Sequence, residues 1–84
     1  MKIPSKLRWA CRRGMLELDV LLGNFLEEAY LSLEKNEQEV FVRMLDLPDP
    51  DLFIYLTGKE IPENSDIKKM IERIQVHAQT RHSS

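Results

Sequence analysis

The stretch Ile67-Lys68-Lys69-Met70-Ile71-Glu72-Arg73-Ile74-Gln75-Val76-His77-Ala78 sets the fold class. Its apolar residues Ile67, Met70, Ile71, Ile74 and Ala78 recur at spacings of three and four, so they share one stripe of a helix, with Lys, Glu and Arg on the other side. A strand would need strict alternation, which is absent here and elsewhere in the chain.

Working outward, the same periodicity recurs between clear breaks at Pro4, Gly14, Pro48-Asp49-Pro50 and Gly58 to Pro62. A short helix is predicted from Ser5 to Arg13, with Ser5 as its cap and Gly14 in the left-handed position after it. A second runs from about Met15 to Leu31, with Leu18, Leu22, Phe25 and Ala29 as its stripe, widened by Leu21 and Leu26. Gly23 inside it marks close packing or a bend. A third runs from about Lys35 to Asp46, burying Val40, Phe41, Met44 and Leu45, and Pro48 ends it. Asp49 caps a fourth with Pro50 at its first position; Leu52, Phe53 and Leu56 face inward and Gly58 closes it. The fifth begins near Asn64 or Ser65, and the polar tail after Gln79 is expected to fray. The expectation is an all-α, compact bundle of about five short helices, one domain over residues 1–84. Leu22, Phe25, Phe41, Leu45, Phe53, Leu56, Ile71 and Ile74 should be buried.

Composition narrows the function classes. With 84 residues, 43% of them hydrophobic and 31% charged, this is an ordinary folded chain with little material for a closed active site. The single Cys11 excludes an internal disulfide and fits a reducing compartment. Cys11, His77 and His82 do not make a zinc or iron–sulfur ligand set, and both histidines are expected to be frayed and solvated. No apolar run is long enough to cross a membrane. No nucleophile stands beside an obvious base, and the three isolated glycines form no phosphate cradle, so no cofactor is expected to bind this chain stably. Charge is split: Lys2, Lys6, Arg8, Arg12 and Arg13 precede any acid, whereas from Glu17 to Asp51 the only bases are Lys35 and Arg43. That asymmetry can orient a partner. The overall charge of -2 argues against nucleic acid, although Trp9 lies in the basic first segment.

The segment Trp9-Ala10-Cys11-Arg12-Arg13-Gly14-Met15-Leu16-Glu17-Leu18-Asp19 puts a corner between two helices at Gly14. Two readings fit it. In one, the residues are structural: Glu17 reaches back to the Gly14 N–H as half a capping box, or pairs with Arg13. In the other, the corner is a docking knob. Glycine lets a partner's backbone approach, and flanking Arg and Glu offer charge-assisted hydrogen bonds of both signs.

Arg13-Gly14-Met15-Leu16-Glu17 resembles the RGxxE signature of the SdhE/YgfY-like family, the FAD assembly factors of succinate dehydrogenase, whose mitochondrial relatives serve the same enzyme. The preceding Trp-Ala-Cys-Arg and the later Asp49-Pro50-Asp51-Leu52-Phe53, after Phe41-Val42-Arg43-Met44-Leu45, are similar to that family too. The likeness runs from about Lys6 to Gln75; Tyr55 stands where the family often has Trp. The resemblance implies a soluble protein of the bacterial cytoplasm, or of the mitochondrial matrix. It implies no catalytic groups, and binding to the flavoprotein subunit of succinate dehydrogenase, with the subunit of fumarate reductase as a further client. The FAD belongs to that partner. Arg13, Gly14 and Glu17 carry over as partner-binding residues; Arg12 and Asp19 join by adjacency, and Trp9 is either core or contact. An antitoxin-like regulatory protein, a role described within the same family, is the alternative.

Overall fold

In the computed structural model, which describes residues 3–82, the chain forms five α-helices: α1 (Ser5–Ala10), α2 (Leu16–Ala29), α3 (Lys35–Met44), α4 (Asp49–Leu56) and α5 (Ser65–His82). A 3₁₀ turn, Tyr30–Ser32, follows α2. The described residues contain no strand.

The long α5 packs against α2, α3 and α4 and is the spine of the bundle. Its Met70, Ile71 and Ile74 are buried, as the spacing of the opening stretch requires. On α2, Leu18, Leu22, Phe25 and Leu26 are buried, an i, i+4, i+7, i+8 stripe. Phe25 stacks on Phe41 of α3 at 5.6 Å between ring centroids, and Tyr30 meets Phe41 at the same separation. Such pairs contribute roughly 0.5–1.5 kcal/mol beyond their area. Ile3, Leu7 and Cys11 bring α1 onto the same core.

The helix ends depart from the sequence reading at several points. Pro4 is the cap residue of α1 and Ser5 its first helical residue, with no side-chain cap. This helix stops at Ala10, three residues short of Arg13, because Arg13 is drawn into contacts with other helices. Second, α2 ends at Ala29, where the chain tightens into the 3₁₀ turn so that Tyr30 and Leu33 can bury. Third, Pro48 is the cap residue of α4, placing Asp49 and Pro50 in its first turn. Val40 and Phe53 are half-buried rather than buried, and Lys59 lies 5.9 Å over the Phe53 ring. An added Cβ at Gly23 would meet nothing within 4 Å, so close packing does not account for that glycine.

His77 is not solvated as expected. Its ring meets Phe25 edge-on at 5.4 Å, and its Nε2 lies 2.9 Å from Glu28 Oε1. The α5 helix runs through His82. The His82 side chain and residues 83–84 lie outside the described residues. Gly58 ends α4 as predicted, at φ +79°. The Lys59 N–H donates to Ile54 O at 3.0 Å and the Gly58 N–H to Tyr55 O at 3.1 Å, the paired bonds of a Schellman motif.

Candidate functional site: the corner between α1 and α2

Gly14 sits at the corner with φ +83°, a conformation that L side chains rarely adopt. It is exposed, with nothing within 4 Å of the position a Cβ would take, so the backbone there is open to approach. The left-handed conformation matches the sequence reading, although three non-helical residues, Cys11, Arg12 and Arg13, separate Gly14 from the end of α1.

Arg13 does not project from this corner. Its side chain is only 16% exposed, and its fork is almost fully used. Nε donates to Asp49 Oδ1 at 2.6 Å, Nη1 to Leu45 O at 2.8 Å and to Ala10 O at 3.2 Å, and Nη2 to Leu47 O at 2.7 Å. These carbonyls belong to the end of α1 and the turn after α3, where helices leave oxygens without intrahelical donors and carry partial negative charge. One guanidinium therefore closes two helix C-termini and pairs with the first residue of a third helix. Five donors in a rigid plane suit arginine to this task and lysine to it poorly.

Asp19, one turn into α2, accepts the Arg13 backbone N–H at 2.6 Å. The corner is thus pinned from both sides. Arg12 and Glu17 remain on its exposed surface. Neither side chain has an ion-pair or hydrogen-bond partner among the described residues. Met15 is the cap residue of α2, so Glu17 sits at the second helical position, and its side chain does not reach back to Gly14 or to Arg13. The capping role weighed for Glu17 is absent. Its charge near the start of α2 still complements the helix dipole.

Trp9, weighed as core or contact, is 72% exposed. Leu16 and Val20, i and i+4 on the outer face of α2, are also exposed. The sequence held a signal for these two, since both fall off the Leu18–Leu22–Phe25 stripe. The signal for Asp49 was weaker, because its acid at a helix start has an ordinary explanation as a cap.

Beside the corner an open groove between α1 and α2 is lined by Arg8, Arg12, Val20 and Asn24. Arg8 spans the two helices with a two-pronged pair to Glu27, Nε to Oε1 at 2.8 Å and Nη2 to Oε2 at 3.2 Å. Both side chains are about half exposed, so this pair contributes ~1 kcal/mol at most. Cys11 also borders the groove but is buried, and burial pushes its thiol up to about 11, against the opposing pull of Arg13. A thiol held protonated is neither a nucleophile nor a metal ligand at neutral pH. No group of three or more His, Cys, Asp or Glu among the described residues could hold a metal ion. No described helix is long and apolar enough to cross a membrane.

Residues 5–78 match the model of a family described as the flavinator of succinate dehydrogenase. The chain is 57% identical over 71 residues to the FAD assembly factor SdhE of Coxiella burnetii, covering 84% of this chain and 87% of the relative. It is 45% identical over 73 residues to the SdhE of Vibrio cholerae, covering 87% and 85% of the two chains. With the SdhE of Yersinia pseudotuberculosis it shares 43% identity over 83 residues, 96% and 94% of the two chains. These relatives carry the assembly-factor name, not that of an antitoxin. With a match that spans both the corner and the Asp49 segment that grips it, the chain belongs to the family of flavinators of succinate dehydrogenase.

Proposed function

We propose that this protein is a non-catalytic assembly factor. It docks on the flavoprotein subunit of succinate dehydrogenase and promotes covalent attachment of FAD to a histidine of that subunit. The observation that carries the docking surface is the pairing of an open glycine corner with two charges, Arg12 and Glu17, that have no partner among the described residues. Charge-assisted bonds to such groups, flanked by exposed Trp9 and Leu16, are the chemistry of a specific protein contact. The flavoprotein subunit of fumarate reductase is a second client in this reading. The cytoplasm, or the mitochondrial matrix in a eukaryotic setting, is its place of action.

The residues present do not fit FAD. The three glycines are isolated, no helix start among the described residues carries a glycine cradle, and the corner groove is open. The flavin is therefore the partner's cargo. The chain acts by holding the partner in the conformation where the reacting groups are aligned, a contribution through positioning.

Glu17→Ala tests this directly. It removes an exposed charge and leaves the backbone and core alone. At limiting assembly factor, covalent flavin per partner subunit in a denaturing gel should fall at least roughly tenfold, the scale of a lost buried charge pair in an interface. The urea midpoint should stay near wild type. Flavin attachment at the wild-type level at every factor concentration would refute the docking surface.

A further inference from the structure

Two motifs 36 positions apart in the chain, Arg13-Gly14 and Asp49-Pro50, are joined by one buried-edge contact, Arg13 Nε to Asp49 Oδ1 at 2.6 Å. We infer that Arg13, Asp49 and Asp19 are positioning residues for the docking corner and not contacts with the partner. The inference rests on the reading of that corner as the docking surface.

Arg13 has four of its side-chain N–H groups engaged within the bundle. A partner would have to dismantle those bonds before using it, leaving helix-end carbonyls unpaired at a cost that one new contact does not repay. Asp19 is committed to the Arg13 N–H, and Asp49 to its guanidinium. What the trio controls is the backbone between Cys11 and Leu16. These residues form no helix, and apart from two backbone bonds, Arg12 N–H to Trp9 O and Asp19 N–H to Met15 O, they are held by the side chains of Arg13 and Asp19. Releasing them frees Gly14 to leave its left-handed well, which unmakes the relation between Arg12 on one side of the corner and Glu17 on the other. Docking then carries the added entropy cost of ordering the corner.

A purely structural role and a direct contact make different predictions from this one. The experiment compares Asp49→Asn, which keeps shape and loses charge, with Glu17→Ala and the double variant. Arg13→Lys serves as a second probe that keeps charge and loses the planar fork. Each is measured for amide exchange at residues 13–15 in the free protein, for urea midpoint, and for affinity to the purified flavoprotein subunit. In Asp49→Asn, corner exchange should speed up and affinity should fall by roughly fivefold to tenfold, while covalent flavin attachment recovers at saturating factor. In the Glu17→Ala background the same substitution should weaken affinity by less than about twofold, because the positioned group is already gone. Arg13→Lys should show the same pattern. Equal losses in both backgrounds would make Asp49 an independent contact and overturn the inference. So would unchanged affinity with only a lower urea midpoint, or unchanged corner exchange. A wild-type affinity for Glu17→Ala would instead bring down the docking surface itself, and the inference with it.

Discussion

At the scale of single residues, Cys11 shows how burial decides chemistry. It is 2% exposed, and its thiol is pushed up to about 11 from an ordinary value of 9.0. A group whose pKa is raised on folding stabilises the fold fully below the unfolded value, and that stabilisation disappears as pH rises through the folded one. Folding stability should therefore lose on the order of 2–3 kcal/mol from this group between about pH 9 and pH 11. Urea titrations of wild type and Cys11→Ala across that range check it: the wild-type curve should fall more steeply, and the difference between the two should close as pH rises. Parallel curves would show that the thiol does not titrate with unfolding. In the same range the native thiol should resist iodoacetamide, because the thiolate is the reactive form.

Single residues are also where sequence reading and structure diverge most. Gly14 was legible, since a glycine after a basic helix end has few other uses. Arg13 was assigned to a partner by its motif match, and its fork turns inward to carbonyls of the turn after α3. Asp49 was assigned to its own helix, yet its carboxylate serves Arg13. Both contacts escape a reading of the sequence for one reason. A contact between residues 36 apart leaves no periodic trace in either segment. His77 was misplaced for the same reason, since its partners Phe25 and Glu28 lie on α2.

Helices were easier to read than contacts. Each stripe of α2 and α5 could be read from spacing alone, because a helix that buries one face must repeat its apolar residues every three or four positions. Ends were less legible where they answered to distant groups, as with Arg13 at the end of α1. They were legible where the cap was local. Asn64 is the clear case: its Oδ1 accepts the N–H groups of Asp66 at 2.9 Å and Ile67 at 3.0 Å, and so starts α5. Asn64→Ala should cost ~1 kcal/mol, and Asn64→Ser much less. For a domain of this size that is a fall in Tm of roughly 4–8 °C, readable by circular dichroism. A loss confined to a fraction of a degree would mean that Pro62 and the packing of Ile67 start the helix unaided. At α3 the Glu34 N–H donates to Glu37 Oε1 at 2.9 Å, and Glu37 also pairs with Arg73 of α5. One carboxylate there both trims a helix start and ties two helices together.

For the molecule as a whole, a small bundle has few kilocalories to spare, and a domain of this length buries only ~60% of its unfolded surface. Its large buried side chains, Phe25, Phe41, Met44 and Ile74 among them, form one continuous core, and the corner stands outside it. That separation lets exposed residues of the corner be changed with little effect on the fold. It also sets the experimental standard for the corner: stability and flavin attachment have to be measured on the same sample, since lower abundance imitates lost docking.

The exposure of Trp9 has an optical consequence. It is the only tryptophan in the chain, and 72% of it faces solvent while the core is built from Phe, Leu, Ile and Met. Its intrinsic emission in the free, folded protein should already lie close to that of an indole in water, so urea unfolding should shift the maximum very little. Covering that ring is a different event. On adding a flavoprotein subunit whose own tryptophans have been replaced by phenylalanine, the emission should move to the blue and become harder to quench with iodide. This indole is thus blind to folding and sensitive to docking, and an unmoved spectrum in a demonstrated complex would place the partner on some other face of the bundle.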